Sequence, residues 1–408
     1  MVQCVMPDAD VASVAGVPVA QACADLLELL AGVSDGRSSQ GRDHPAAVVL
    51  ALVAAATVAG MTGYTAMAGW VADVPKAALT DLYLRAGALP VGRPSRSTLW
   101  RVCTDADTQA LDTAIGAWTA ARRSDPGPAT GATGIDDEVP QPADLLRLDG
   151  KSLRGAVDAD GGQVQLLAAL AGSAEPGAVA VVIGQAEVTG AKTNEPACAR
   201  DLLKTLDIAG STVTADALHT VKATAELIHS RGGQFVFPVK ENRRALFDAL
   251  DALPWQHTPI ADSRTEVGHG RITRRTIRVL PAPPELPFPH VNQVWLIERY
   301  VTDNAGAHLS AAAQLGVASH TRQQANPTQI ATFNQGHWAV ESLHWIRDTC
   351  YREDHSRVRT RSGPRVLASL RNLAVNALRL AGRRDITEAT RWASRNMTRP
   401  FTILGLTS

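Results

Sequence analysis

Surplus charge is the first thing missing from this sequence: 40 lysines and arginines balance 40 aspartates and glutamates over 408 residues. That balance gives no global pull toward nucleic acid, so any polyanionic partner has to be argued from local clusters. Cysteine chemistry is sparse as well. Cys4, Cys23, Cys103, Cys198 and Cys350 are scattered, with no C-x-x-C pair and no metal-finger spacing, which excludes a zinc finger and suits a reducing, cytosolic compartment. The opening "MVQCVMPDADVASVAG" carries acids where a secretory signal is basic, so no targeting segment is expected. Internal repeats, heptads and the H-E-x-x-H zinc pattern are absent too.

One long uncharged run is present, from Pro45 to Ala72. It is long enough to span a bilayer, but alanine, glycine and threonine dominate it and "GMTG" interrupts it. The expectation is a buried helical hairpin. Around it, "ADLLELLAGV" and "LDTAIGAWTAARR" have helical spacing, and "RPSRSTLWRVC" reads as a serine-capped helix bearing Arg96 and Arg101. That helix is either a DNA-recognition helix or an ordinary capped helix with solvated arginines.

These elements define a helical N-terminal region over 20–121. A proline- and glycine-rich linker follows over 122–143. Next come short apolar runs at "DLLRLD", "QLLAALAG", "AVAVVIGQAEV", "STVTADAL" and "GQFVFPVK", with helical patterns at "NEPACARDLLKTLD" and "TVKATAELIHSRGG". Three strands, then helix, strand, helix and strand, describe an α/β mixed sheet flanked by helices. From about 255 to 320 the pattern changes to proline-rich loops and strands, read as a β-rich insertion. Helices resume to 382, and 383–408 reads as a C-terminal helix and tail.

Two aspartates stand at the ends of apolar runs in this sheet, Asp149 in "DLLRLDGKSLRGA" and Asp216 in "STVTADALHT". Carboxylates at one sheet edge repel unless one is protonated or a cation neutralises both. Magnesium or manganese, which prefer oxygen ligands, would do so; taken singly, each aspartate reads first as a turn or cap residue. A third carboxylate, Glu341, shares a helix face with Trp338, Trp345 and Asp348 in "GHWAVESLHWIRDT". That face is expected to be buried, with the tryptophans packing in the core or stacking on a base. His337 and His344 read as structural or substrate-positioning residues.

Six segments in order, "LRLDGKSLRGA", "KTNEP", "TADALHT", "VKEN", "HGRITRR" and "GHWAVESLHWIRDTCYREDHSRVR", resemble bacterial insertion-sequence transposases of the DDE class, of the H-repeat-associated type. The N-terminal helical segment resembles the domain associated with that group. The resemblance implies a ribonuclease-H-like core over 144–382 and DNA-end binding by 20–121. It implies Asp149, Asp216 and Glu341 as catalytic metal ligands for Mg2+, with Mn2+ as substitute and two ions. The implied activity is cutting and rejoining double-stranded DNA, element ends and target alike, by a homodimer in the cytoplasm at the nucleoid. A nuclease that does not transpose, and a non-catalytic DNA-binding descendant, stay open at this point.

Clustered basic residues near the three acids supply candidate DNA contacts: Lys151, Arg154, Lys192, His219, Lys240, Arg271, Arg274, His337 and Arg357. The chain departs from the family pattern at Gln335, where arginine is usual, and at Ser342, where asparagine is. It also departs at Val221 and Arg243, where glutamine is expected.

Overall fold

A computed structural model describes residues 25–40, 42–124, 144–157, 162–175, 177–190 and 194–407. Lys192 and most of the expected linker lie outside the described residues.

The first helices are α1 (Leu26–Ala31), α2 (Ala46–Val58), α3 (Tyr64–Ala72), α4 (Lys76–Arg85), α5 (Arg96–Asp105) and α6 (Thr108–Ser124). Helix α2 is apolar on every side and buried from Ala47 to Val58. Gly60 turns the chain after it with φ +82°, a left-handed conformation that glycine adopts without strain, and α3 returns. The uncharged run is therefore a hairpin of two short helices; among the described residues no helix is long and apolar enough to cross a membrane. Ser95 caps α5 by accepting from the Thr98 amide at 3.2 Å, as its place before "RSTLW" suggests.

The described residues form a nine-stranded sheet. Its strands are β1 (Leu145–Val157), β2 (Gln163–Gly172), β3 (Ala180–Glu187), β4 (Thr212–Ala215), β5 (Gln234–Val239), β6 (Asp262–Gly268), β7 (Arg271–Pro281), β8 (Gln293–Asp303) and β9 (His308–Ala318). Their order is β3-β2-β1-β4-β5-β9-β8-β7-β6. Strands β1, β4 and β5 are parallel, and β2, β3 and β9 run antiparallel to their neighbours. This is the mixed α/β class expected from the run of strand and helix patterns. The β-rich segment read as an insertion forms strands β6–β9. Because β9 pairs with β5 from Val236↔Ala318 to Val239↔Leu315, these strands extend the central sheet itself.

Helices α7 (Glu195–Thr205), α8 (Lys222–Ser230) and α9 (Arg244–Asp251) follow β3, β4 and β5. They cover one sheet face with Leu202, Leu203, Ile228 and Leu246 against Leu146, Leu148, Val213 and Phe235. After β9 come α10 (Pro327–Gly336), α11 (Ala339–Thr349), α12 (Gly363–Leu380), α13 (Ile386–Ser394) and α14 (Arg399–Leu404). Residues of α12–α14 share one apolar cluster with α1–α6 and with Leu170 and Val182 of the sheet. A buried polar seam crosses the same contact. Ser369 of α12 donates to Asp112 of α6, and Asn372 donates to Gln185 of β3 at 2.8 Å. The helices before and after the sheet in sequence are thus one body in space.

Candidate active site

Strand β1 pairs with β4 from Leu145↔Thr212 to Leu148↔Ala215. One step further along both strands stand Asp149 and Asp216. Neighbouring parallel strands lie about 4.8 Å apart, so the two carboxylates begin from adjacent backbones. The structure corrects one detail. Asp149 does not end its strand, because β1 continues alongside β2 with Asp149 opposite Ala168. It stands where β1 loses its parallel neighbour, which opens one side of it to the sheet edge.

Glu341 comes from α11, and a buried arginine fixes how that helix approaches. Arg147 is 2 % exposed. Its guanidinium donates to carbonyls of Gly336 (2.6 Å), Leu145 (2.8 Å) and Ser173 (2.8 Å). It therefore clamps the last turn of α10 onto β1, where a cation also suits the helix C-terminus. A Cβ at Gly336 would sit 2.7 Å from Leu145 Cδ2, so the close approach is made easier by glycine. Glu341 follows in the first turn of α11. Arg147 was not singled out by sequence reasoning, since one arginine in an apolar strand carries no periodic signal.

The shared face of α11 is the second correction. Trp338 and Trp345 are 44 % and 63 % exposed and Glu341 is exposed, whereas Val340, Leu343 and Ile346 are buried. The aliphatic stripe took the core, leaving the tryptophan–glutamate stripe outward, with the Arg275 guanidinium 4.8 Å from the Trp338 ring centre.

Burial pushes the Asp149 carboxyl up to about 7, and the charges of Asp216, Glu195 and Glu341 push the same way against a stabilising Gly150 amide. Two nearby bases leave that repulsion uncompensated. His344 Nδ1 is 3.4 Å from Asp149 Oδ2, but burial drives this imidazole down to about 3, so it is neutral. Lys151 is committed to Asp348 at 2.7 Å and Asp354 at 3.4 Å. Asp216 is half-exposed and accepts from the Leu218 amide at 2.9 Å.

Glu195 is a fourth carboxylate that sequence reasoning missed. It is 6 % exposed at the start of α7 and lies 3.2 Å from His219 Nε2. Its Oε1 would be 2.5 Å from a Cβ on Gly150. "KTNEP" contains it, but a glutamate before Pro196 reads equally as a first-turn residue. The acidic, oxygen-donor set fits a hard divalent cation in chemistry. As the side chains stand, no cluster of three or more among the described residues is tight enough to hold a metal ion.

Asp149, Asp216 and Glu341 all line one open cavity of about 1700 Å³, together with Lys240, Arg275 and Trp338. The remaining expected contacts divide. Lys240, Arg271, Arg274, Arg154 and Arg357 are exposed. His219, at 1 % exposure, and Lys151, at 9 %, are internal, contrary to the expectation that they face DNA. His337 is half-buried and lines the cavity, with Nδ1 3.2 Å from Thr214 Oγ1 and its imidazole pushed down by burial to about 4. The family departures are integrated as well. Arg243 donates to the carbonyls of Thr220 and Leu218, fixing the loop after Asp216. Gln335 donates to Glu266 of β6 at 2.8 Å. Val221 precedes α8, and Ser342 is exposed.

Comparison with known families fits this arrangement. Residues 178–377 match the Transposase DDE domain, and residues 27–119 match the DDE_Tnp_1-associated domain. The chain belongs to the DDE transposase family. Asp216 and Glu341 fall inside the family's matched span, and Asp149 falls before it. Two Escherichia coli K12 proteins named "H repeat-associated putative transposase", YhhI and YbfD, are 29 % and 26 % identical to this chain. The YhhI match covers 58 % of this chain and 64 % of YhhI, so the chain spans just under two thirds of that relative. The YbfD match covers 64 % of this chain and 96 % of YbfD. A solved piggyBac transposase synaptic complex with hairpin DNA is similar at a TM-score of 0.39 and 11 % identity, over 90 % of this chain and 75 % of that one.

Proposed function

We propose that this protein cuts and rejoins DNA at the ends of an insertion sequence, with Asp149, Asp216 and Glu341 holding two Mg2+ ions, or Mn2+ as substitute. The reading rests above all on the parallel register that sets Asp149 beside Asp216, with Glu341 adding charge to an aspartate that has no cation of its own. When bound, the metal supplies Lewis acidity to a phosphodiester, for hydrolysis and for attack by a 3′-hydroxyl alike.

The chain's own groups do the rest. Asp149, its carboxyl pushed up by burial to about 7, is about half protonated at neutral pH. Neutral His344 stays beside it, and the Leu218 amide fixes Asp216. Arg147 holds the helix junction that presents Glu341. Exposed Arg154, Lys240, Arg271, Arg274 and Arg357 meet phosphates, while Lys151, His219 and His337 position the site from within. Joining two element ends calls for two protomers on the DNA.

The test is cleavage of a labelled duplex carrying the DNA that flanks this gene, by wild type and Glu341→Ala, with magnesium, manganese or calcium. Nicking at the element end in magnesium and manganese, lost in the variant while DNA binding persists, is the expected result. DNA binding with no cleavage in any metal would overturn the reading.

A further inference from the structure

Between α11 and α12 the chain runs through "REDHSRVRTR", in which Arg352, Arg357, Arg359 and Arg361 are all exposed. The segment is anchored at both ends. On the sheet side, Arg359 Nε donates to the Gly155 carbonyl at 3.1 Å, and Asp354 lies 3.3 Å from Arg154 Nε. The Ser356 carbonyl occupies the space that a side chain on Gly155 would need. On the helical side, Arg361 pairs with Asp105 at the end of α5 at 2.5 Å. The Ser362 amide donates to the Thr104 carbonyl at 3.3 Å.

Charge is sorted within the segment. Glu353 is buried beneath Arg347 and Arg371, and Asp354 faces Lys151 and Arg154. The acids point inward and the arginines outward. Among the described residues, Arg352, Arg357 and Arg359 have no carboxylate at ion-pair distance, as the observed pairs of Arg154 and Arg361 do. Arg352 and Arg361 hold left-handed backbone, with φ of +50° and +44°. That conformation costs a residue with a Cβ about 1 kcal/mol or more and persists only where its surroundings impose it. Arg101 is exposed one turn before Asp105 on α5, so it lies on the face that Arg361 meets.

We propose that Arg352–Arg361, with Arg154 and Arg101, is a phosphate-binding ribbon that carries one DNA duplex continuously from the helical region to the carboxylates. This rests on the reading that those carboxylates act on DNA. The ribbon joins two regions that are otherwise described separately in function, and it leaves the site through β1, the strand that bears Asp149. Duplex is favoured over single-stranded nucleic acid because the segment contains no phenylalanine, tyrosine or tryptophan on which unpaired bases would stack. Its contacts are cationic and suit a backbone.

The test is equilibrium binding of the full chain to a random-sequence DNA duplex across a salt series, with calcium in place of magnesium so that no cleavage is needed. Wild type is compared with Arg352→Gln/Arg357→Gln/Arg359→Gln and with Arg391→Gln on α13 as a control. Each phosphate contact contributes about 0.9 to the slope of log affinity against log salt, so the triple variant should lose between about 2 and 3 of that slope. The control should lose none, and circular dichroism should show both variants folded. An unchanged slope in a folded triple variant overturns the ribbon. So does an equal loss of slope on single-stranded DNA, or a preference for an RNA duplex of the same sequence. If the slope falls as expected while wild type never cleaves in magnesium or manganese, the ribbon stands as a DNA surface and the cleavage reading fails alone.

Discussion

Asp149→Asn is expected to be inactive and yet more stable than the wild-type protein at pH 8 without divalent metal. An aspartate whose carboxyl is raised from 3.8 to about 7 favours the fold only while protonated. Its contribution is fully present below the unfolded value near 4 and is lost as pH rises through about 7. At pH 8 the folded state therefore carries a charge that burial and three neighbouring carboxylates oppose, on the order of 2–4 kcal/mol. The side chain is only 25 % exposed, so solvent screens little of this. Asparagine keeps the shape and removes the charge. Chemical denaturation at pH 8 and at pH 4 measures the difference, which should be a gain at pH 8 that vanishes toward pH 4. Cleavage should fall by at least about a thousandfold, since a lost ligand removes several kcal/mol of transition-state stabilisation. A folded variant that is no more stable than wild type at pH 8 would remove the electrostatic basis of the site.

The largest loss of stability is expected from Glu353→Ala. Glu353 is 2 % exposed, and burial alone would raise its carboxyl, but Arg347 and Arg371 hold it down at about 2. Arg347 forks onto both carboxylate oxygens at 2.8 and 2.9 Å, and Arg371 adds a bond at 2.9 Å. Removing the glutamate leaves two guanidinium groups buried against each other's charge, which costs about 3–5 kcal/mol. Because the folded value is depressed, this stability is present above about 4.5 and is lost as pH falls toward 2. Urea denaturation should show a large gap between wild type and variant at pH 7, narrowing at pH 2.5. A gap of less than about 1 kcal/mol at pH 7 would mean that the trio is not the clamp it resembles.

The sequence exposed the order of strands and helices because each apolar run was short, bounded and of one period. The adjacency of Asp149 and Asp216 was legible for the same reason, since both follow β-branched or leucine-rich runs at one sheet edge. The face of α11 was not. Trp338, Glu341 and Trp345 recur at intervals of three and four and Val340, Leu343 and Ile346 at intervals of three, both of which suit one face of a helix, and spacing alone does not say which stripe the sheet accepts. Glu195 and Arg147 were hidden by a different cause. Their burial is made acceptable by His219 and by carbonyl groups from distant segments, and such partners are invisible until the fold brings them together. The change of composition at Trp255 marked the β-rich segment as an insertion, but its pairing to β5 was not legible, because backbone pairing is blind to composition.

The single apolar cluster built from α1–α6 and α12–α14 bears on how the protein is made. Helix α2, with its unbroken buried run from Ala47 to Val58, leaves the ribosome long before α12, one of the helices that cover it. α1, α3 and α5 already pack against α2, but the part of its surface that α12 covers stays bare until α12 emerges, and an incompletely shielded helix of this kind is prone to self-association. The cluster is thus completed only late in synthesis, and a chain truncated before α12 should aggregate rather than fold.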